Sequence, residues 1–123
     1  MSLNIDSEGT VSIYEGDTGY IDVSGLNPEK NYYVWLAIRD RKRNLVGEEI
    51  RITSNNRDKV SFFLSTDLTD LLTVPKNKQY ELYFYGIKIS EVGSFEEDTL
   101  FVGDKDYGET NLMIVYPKQV EGN

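Results

Sequence analysis

Short runs of alternating apolar and polar residues, separated by clusters of turn residues, set the rhythm of this chain. Residues 10–14, 20–23 and 59–64 each show the period of two that is typical of a half-buried strand. The apolar side chains that this period predicts to face inward are Val11, Ile13, Ile21, Val23, Val60, Phe62 and Leu64. The turns between the runs are rich in Gly, Asn and Asp, as at residues 15–19 and 54–58.

Two longer runs predict the centre of a sheet. Residues 32–38 are apolar on both faces, so we expect a central strand that is covered on both sides. Residues 79–89 form the second strong strand, in which Tyr80, Leu82 and Phe84 share one face. Alternation then places Tyr83 and Tyr85 on the opposite face, where they lie outside or in a subunit interface, or form ordinary cross-strand aromatic pairs. Weaker strands are predicted at 45–53, 99–102 and 110–116.

Only residues 67–74 are a candidate helix, with Thr66 or Asp67 as the cap and Pro75 as the terminator. The spacing predicts about seven to nine strands with one short helical turn and no helix long enough for a parallel crossover. We therefore predict an all-β fold, an immunoglobulin-like antiparallel β-sandwich. Residues 1–123 are expected to form a single domain, with 1–9 as an extended N-terminal segment.

Composition narrows the function classes. The net charge of −8, from 13 basic and 21 acidic residues, argues against nucleic-acid and anionic-membrane partners. The chain contains no His and no Cys, which removes the commonest general base and the commonest zinc ligand, together with any nucleophile–base pair that uses His or Cys. We predict a protein that is not an enzyme and has no catalytic, cofactor or metal residues, although abundant carboxylates leave a glycosidase-like pair open. No signal peptide or membrane-spanning run is visible in the sequence.

Aromatic residues offer the first candidate binding features. Trp35 lies in the most apolar strand, and we interpret it as a core anchor, with sugar stacking as the alternative. Exposure of Trp35 with neighbouring tyrosines would favour a carbohydrate-binding platform, whereas burial would count against it.

Clusters of charged residues are the second kind of candidate binding feature. The basic tip, defined as Arg39, Arg41, Lys42 and Arg43, either docks on an acidic partner or is a solvated hairpin loop. The segment 91–109 is acidic, and residues 104–108 resemble the start of a calcium loop. The terminal Glu of such a loop would fall at Val115, so a solvated turn explains the same residues.

One combination of motifs goes beyond β patterning. The segments that carry it are 16–19, 33–40, 60–65, 67–70, 80–84 and 114–117. Together they resemble the immunoglobulin-like N-terminal domain of phage baseplate upper proteins and related phage tail accessory proteins, over about residues 10–117.

The resemblance implies a structural role in a phage or prophage tail. Such domains attach a receptor-binding or adhesive device through protein–protein contacts, usually as oligomers, and they supply no catalytic residues. The expected partners are other tail or baseplate proteins and copies of the chain itself. The expected location is the virion, or the bacterial cytoplasm during assembly. The basic tip with Tyr83 and Tyr85 is the candidate interface. The alternative is a carbohydrate- or surface-binding β-sandwich module of a bacterial protein.

Overall fold

Nine strands and one short helix make up the part of the chain that the structure describes. The computed structural model describes residues 3–92, 100–102 and 111–118. The elements are β1 (Asn4–Ile5), β2 (Val11–Tyr14), β3 (Gly19–Ser24), β4 (Tyr32–Arg39), β5 (Ile50–Thr53), β6 (Lys59–Leu64), α1 (Thr66–Thr69), β7 (Glu81–Glu91), β8 (Leu100–Val102) and β9 (Asn111–Tyr116).

These strands form two sheets. The large sheet has the order β1-β2-β9-β7-β4-β5, with β8 also paired to β7, and the small sheet consists of β3 and β6. All pairs are antiparallel except β2 and β9, which run parallel, with Val11 opposite Met113 and Tyr14 opposite Tyr116. The prediction of an all-β, immunoglobulin-like β-sandwich is confirmed, and the β2–β9 pair is the one exception, among the described strands, to its antiparallel pairing. No hairpin joins β2 to β9, so no turn constrains their relative direction.

The core lies between the two sheets, and simple alternation predicted much of it. Val11 and Ile13 of β2 and Val60, Phe62 and Leu64 of β6 are all buried, as expected. On β3, Ile21 is buried and Val23 is partly buried against the same cluster. A polar opposite face makes the inward side of such strands unambiguous.

In β7 the predicted outward face is the buried one. Tyr83 and Tyr85 are each only 5% exposed, whereas Tyr80 is 49% exposed and Leu82 and Phe84 are partly exposed. The register with β4 gives the reason, because it pairs Tyr85 with the buried Ile38. A shift of one residue moves every side chain of a strand to the other face.

The central position predicted for β4 is confirmed, since it pairs with β7 on one side and β5 on the other. The expected cover on both faces is wrong. Val34, Leu36 and Ile38 are buried in the core, whereas Tyr33 and Trp35 point away from it and stay partly exposed. Within the described residues, no second layer packs over that outward side.

Helix and return strand are both shorter than predicted. Helix α1 is a single turn, and its cap is Ser65, one residue before the predicted Thr66, with the Ser65 hydroxyl accepting from the Leu68 amide. The return strand β5 begins only at Ile50, because Leu45 forms an isolated bridge with Arg39 and Gly47 has a positive φ. Across the ranges described, no helix has the length and apolarity to cross a bilayer.

The neighbouring phenylalanines of β6 test the two sides of the small sheet. Phe62 is fully buried and Phe63 is 49% exposed. We expect Phe62→Ala to lower the free energy of unfolding by about 3–5 kcal/mol, because it opens a cavity in the core. The matched variant Phe63→Ala should cost only about 1 kcal/mol, chiefly its ring contact with Tyr20. Urea unfolding measures both, and equal losses would contradict the assignment of faces.

Candidate functional site

The side of the large sheet that points away from the core is apolar, and we call it the outer face. Side chains that face outward from a half-solvated sheet are normally polar. Here none of the apolar ones joins the core cluster, and all stay partly exposed. The apolar side chains of the outer face are Tyr14, Tyr33, Trp35, Leu82, Phe84, Leu112, Ile114 and Tyr116.

Strand register divides these side chains into two groups, one across β7, β9 and β2 and the other, Tyr33 and Trp35, further along β4 beyond the Ala37–Gly86 pair. Leu82 lies opposite Ile114 and Phe84 lies opposite Leu112 across the β7–β9 pair. At the far side of β9, Tyr116 pairs with Tyr14, and their ring centroids are 5.6 Å apart. Three strands thus contribute to an apolar strip, and the Tyr33–Trp35 pair forms a separate aromatic end of the same face, which no single run of the sequence reveals.

Two cations cover the aromatic end of the outer face. The Lys88 ammonium lies 4.8 Å from the centroid of the Trp35 ring, and the Arg51 guanidinium lies 4.7 Å from the centroid of the Tyr33 ring. The two rings are 5.8 Å apart. Trp35 pairs with Lys88 of β7 on one side and Arg51 of β5 on the other, so the arrangement follows directly from the sheet. Such cation–π contacts contribute about 0.5–1 kcal/mol each at exposed sites.

This placement corrects the interpretation of Trp35 as a core anchor. Its ring lies on the outer face, between Tyr33 and Lys88. The sequence could not decide the matter, because β4 is apolar on both faces and its register with β7 determines the inward one.

The basic tip is an ordered turn that borders the outer face. Asp40 caps it, since one of its carboxylate oxygens accepts from the backbone amides of Lys42 and Asn44. Arg39 lies opposite Phe84 at the end of β4, which places it on the outer face. Its guanidinium donates to the Arg43 carbonyl oxygen at 3.3 Å.

The other members of the tip differ in their partners. Arg41 lies 3.7 Å from Glu81, which also pairs with Lys78. Neither Lys42 nor Arg43 forms a salt bridge with a residue that the structure describes. The tip is therefore partly neutralised, and Arg39 is the member that the fold joins to the apolar strip.

Tyr83 and Tyr85 are structural rather than interfacial. The Tyr83 hydroxyl donates to the Thr73 carbonyl oxygen at 2.7 Å, and the Tyr85 hydroxyl donates to the Gly9 carbonyl oxygen. Burial raises the pKa of both phenols, and the nearby Asp6 adds to the effect at Tyr85. The prediction that they lie outside or in an interface is wrong.

The acidic segment is only partly within the described residues. Glu91 lies 3.8 Å from Lys30 in an exposed ion pair. The candidate calcium loop at 104–108 lies outside the described residues. Elsewhere in the described chain, no group of three acidic side chains is close enough to hold a metal ion.

A smaller aromatic patch lies on the opposite side of the sandwich. Tyr20 and Phe63 face each other across β3 and β6, about half exposed, with their ring centroids 5.2 Å apart. An open groove beside them is lined by Leu3, Asp22 and Ser61. The alternation of β3 and β6 already places both rings outward, and this signal was missed.

Comparison with known proteins defines the class of fold. No protein family and no curated protein matches the chain. Among solved structures, the periplasmic chaperone SfaE, which has an immunoglobulin-like fold, superimposes with a TM-score of 0.64 at 8% sequence identity. The match covers 99% of this chain and 60% of that chain, so this chain spans well under two thirds of the chaperone. The protein is an immunoglobulin-like β-sandwich, and the similarity shows the fold alone.

The buried phenols generate a pH prediction. The pKa of Tyr83 and Tyr85 is raised in the folded state, so the folded state holds its protons to higher pH than the unfolded state. The contribution of these two phenols to the free energy of unfolding is therefore fully present below about pH 10. It is lost as the pH rises through their raised pKa values in the folded state. We expect urea unfolding to show this loss as the pH rises above about 10.

Replacement by Phe tests the assignment. Tyr83→Phe and Tyr85→Phe should each cost about 1 kcal/mol at neutral pH through the lost hydrogen bond. The double variant should also lose less stability than the wild type on going to high pH. Tyr20→Phe, at a half-exposed position, is the control and should keep the wild-type pH dependence. An unchanged slope in the double variant would contradict the assignment.

Proposed function

We propose that this protein is a non-enzymatic assembly module that binds another protein through its outer face. The observation that carries the proposal is the apolar surface of the outer face, in which a strip across β2, β9 and β7 and the Tyr33–Trp35 pair on β4 take no part in the core. Contiguous exposed apolar surface on a soluble domain commonly marks a protein-interaction site. Aromatic side chains with Arg, as in this strip and along its border, are enriched in protein interfaces.

The resemblance described above supplies the setting. It supports a place in a phage or prophage tail or baseplate, with other tail proteins as partners and assembly in the bacterial cytoplasm before incorporation into the virion. The basic tip then lies at the border of the contact, because Arg39 is next to Phe84 on the outer face. Nucleic acid and membrane remain disfavoured as partners by the net charge of −8.

A carbohydrate-binding module is the second candidate, because Tyr33 and Trp35 are partly exposed side by side. Two observations favour the protein partner instead. Lys88 and Arg51 already lie over these rings, so a sugar would have to displace them before stacking. Leu82, Leu112 and Ile114 extend the strip with aliphatic surface, which offers a sugar no hydrogen-bonding groups.

Partner retention in cells tests the proposed function. A tagged chain would be expressed in the bacterium whose phage or prophage encodes it, and co-purifying proteins would be identified by mass spectrometry after induction. We expect tail or baseplate proteins at fixed stoichiometry with the wild type. The double variant Phe84→Ser Leu112→Ser should lose them, because it removes one cross-strand pair from the apolar strip.

The matched control for that experiment is Tyr20→Ser Phe63→Ser, which removes the cross-strand aromatic pair of the small sheet. It should retain the partners. Both double variants should keep the wild-type β-rich circular dichroism spectrum. Equal retention by all three proteins would contradict the proposal.

A glycan array separates the two candidate functions. We expect no specific glycan binding by the wild-type chain, because the ring faces of Tyr33 and Trp35 are covered by cations. Trp35→Ala would serve as the matched variant. Specific glycan binding that Trp35→Ala abolishes and Phe63→Ala preserves would replace the assembly module by the carbohydrate-binding one.

A further inference from the structure

Among the described residues, every charged side chain at an outward position of the large sheet is basic, although the chain as a whole is acidic. The chain carries 21 acidic and 13 basic residues. The outward positions of the described strands of the large sheet nevertheless contain the basic residues Arg39, Arg51 and Lys88. No Asp or Glu occupies any of these outward positions. The small sheet differs, since its outward positions include both Asp22 and Lys59.

Each of the three cations lies beside an aromatic side chain of the outer face. Arg51 and Lys88 approach the Tyr33 and Trp35 rings from the strands on either side of β4. Arg39 lies further along β4, next to Phe84. The Arg51 guanidinium over the Tyr33 ring keeps its charge, and the stems of such cations shield apolar surface from water. The outer face thus combines an apolar strip with a positively charged end.

This arrangement disfavours a second copy docked through the same face. A twofold interface brings one surface patch against itself, so Arg39 and Arg51 of both copies would approach each other, and the described outward positions of the large sheet provide no carboxylate between them. Like charges placed against each other across an interface are strongly unfavourable. A nucleic acid is disfavoured as a partner as well. The three cations of this face are too few to offset the repulsion between phosphate groups and a chain with a net charge of −8.

We infer that the partner of the outer face is an acidic protein surface, which presents carboxylates beside apolar side chains. This inference rests on the proposed function and identifies the chemistry of its partner. The apolar side chains of the partner would cover Leu82, Phe84, Leu112 and Ile114, and its carboxylates would pair with Arg39 and Arg51. Complementary charge at such a contact acts mainly on orientation and association rate, and salt weakens it.

Three probe peptides test the charge preference directly. Each is of strand length, with the same apolar residues at alternate positions and Glu, Gln or Lys at the others. Titration of the isotope-labelled full chain, followed by amide NMR, gives affinity and location together. We expect the Glu peptide to perturb β4, β7 and β9 and to bind about tenfold more tightly than the Lys peptide. The preference should shrink as salt is raised from about 50 to 300 mM.

Variants assign the preference to the outer face. Arg39→Gln Arg51→Gln should remove most of the difference between the Glu and Lys peptides, and it should also weaken retention of the cellular partner. Lys59→Gln, on the small sheet, is the matched control and should change neither measurement. The amide spectrum of each free variant shows whether the fold is intact.

Several results would overturn the inference. Equal binding of the Glu and Lys peptides would do so, as would a Glu peptide that does not perturb β4, β7 and β9. Tighter binding of oligothymidine than of the Glu peptide would point to a nucleic acid instead. A dimer in light scattering that Phe84→Ser disrupts would point to a second copy of the chain. If Phe84→Ser Leu112→Ser releases the cellular partner but Arg39→Gln Arg51→Gln does not, the proposed function stands and the acidic partner is rejected. If neither variant releases it, the proposed function fails too.

Discussion

The antiparallel pairing of β4 with β7 is the constraint on which the rest of the large sheet depends. It runs over eight residue pairs, from Tyr32 opposite Glu91 to Arg39 opposite Phe84. The other edge of β7 is divided between β9 and β8, and the other edge of β4 holds β5. A single register therefore decides which side chains of β4 and β7 face the core, and the three strands paired with them continue that assignment. The same register creates the outer face, because the two faces of a strand are assigned together.

The buried face of a strand could be predicted from the sequence only where its two faces differ in polarity. In β2 and β6 one face carries the polar residues, beside one aromatic side chain each, so the buried side was evident from Val11, Ile13 and Phe62. In β4 and β7 both faces are apolar, and only a partner strand can choose between them. The acceptors that satisfy the Tyr83 and Tyr85 hydroxyls belong to Thr73 and Gly9, in loops that no local pattern connects to β7.

The candidate site was predictable only in part, for a similar reason. Arg39 was singled out as part of a charged run, and the structure brings it to the border of the apolar strip. Arg51 and Lys88 gave no signal, because each is a single basic residue within a strand. They become neighbours of Tyr33 and Trp35 only when β5 and β7 pair with β4. A surface composed across strands is a property of register, and a one-dimensional pattern does not contain it.

The parallel pairing of β2 with β9 also determines when the large sheet can form during synthesis of the chain. The two strands lie roughly a hundred positions apart in the chain, so β2 leaves the ribosome long before β9 exists. Until then, β2 exposes unpaired backbone amides and carbonyls on that edge, and such edges recruit strands from other chains. Contacts between distant segments also slow folding, since the intervening chain must close before they form. Synthesis of β9 is thus the step that ends this exposure of the β2 edge.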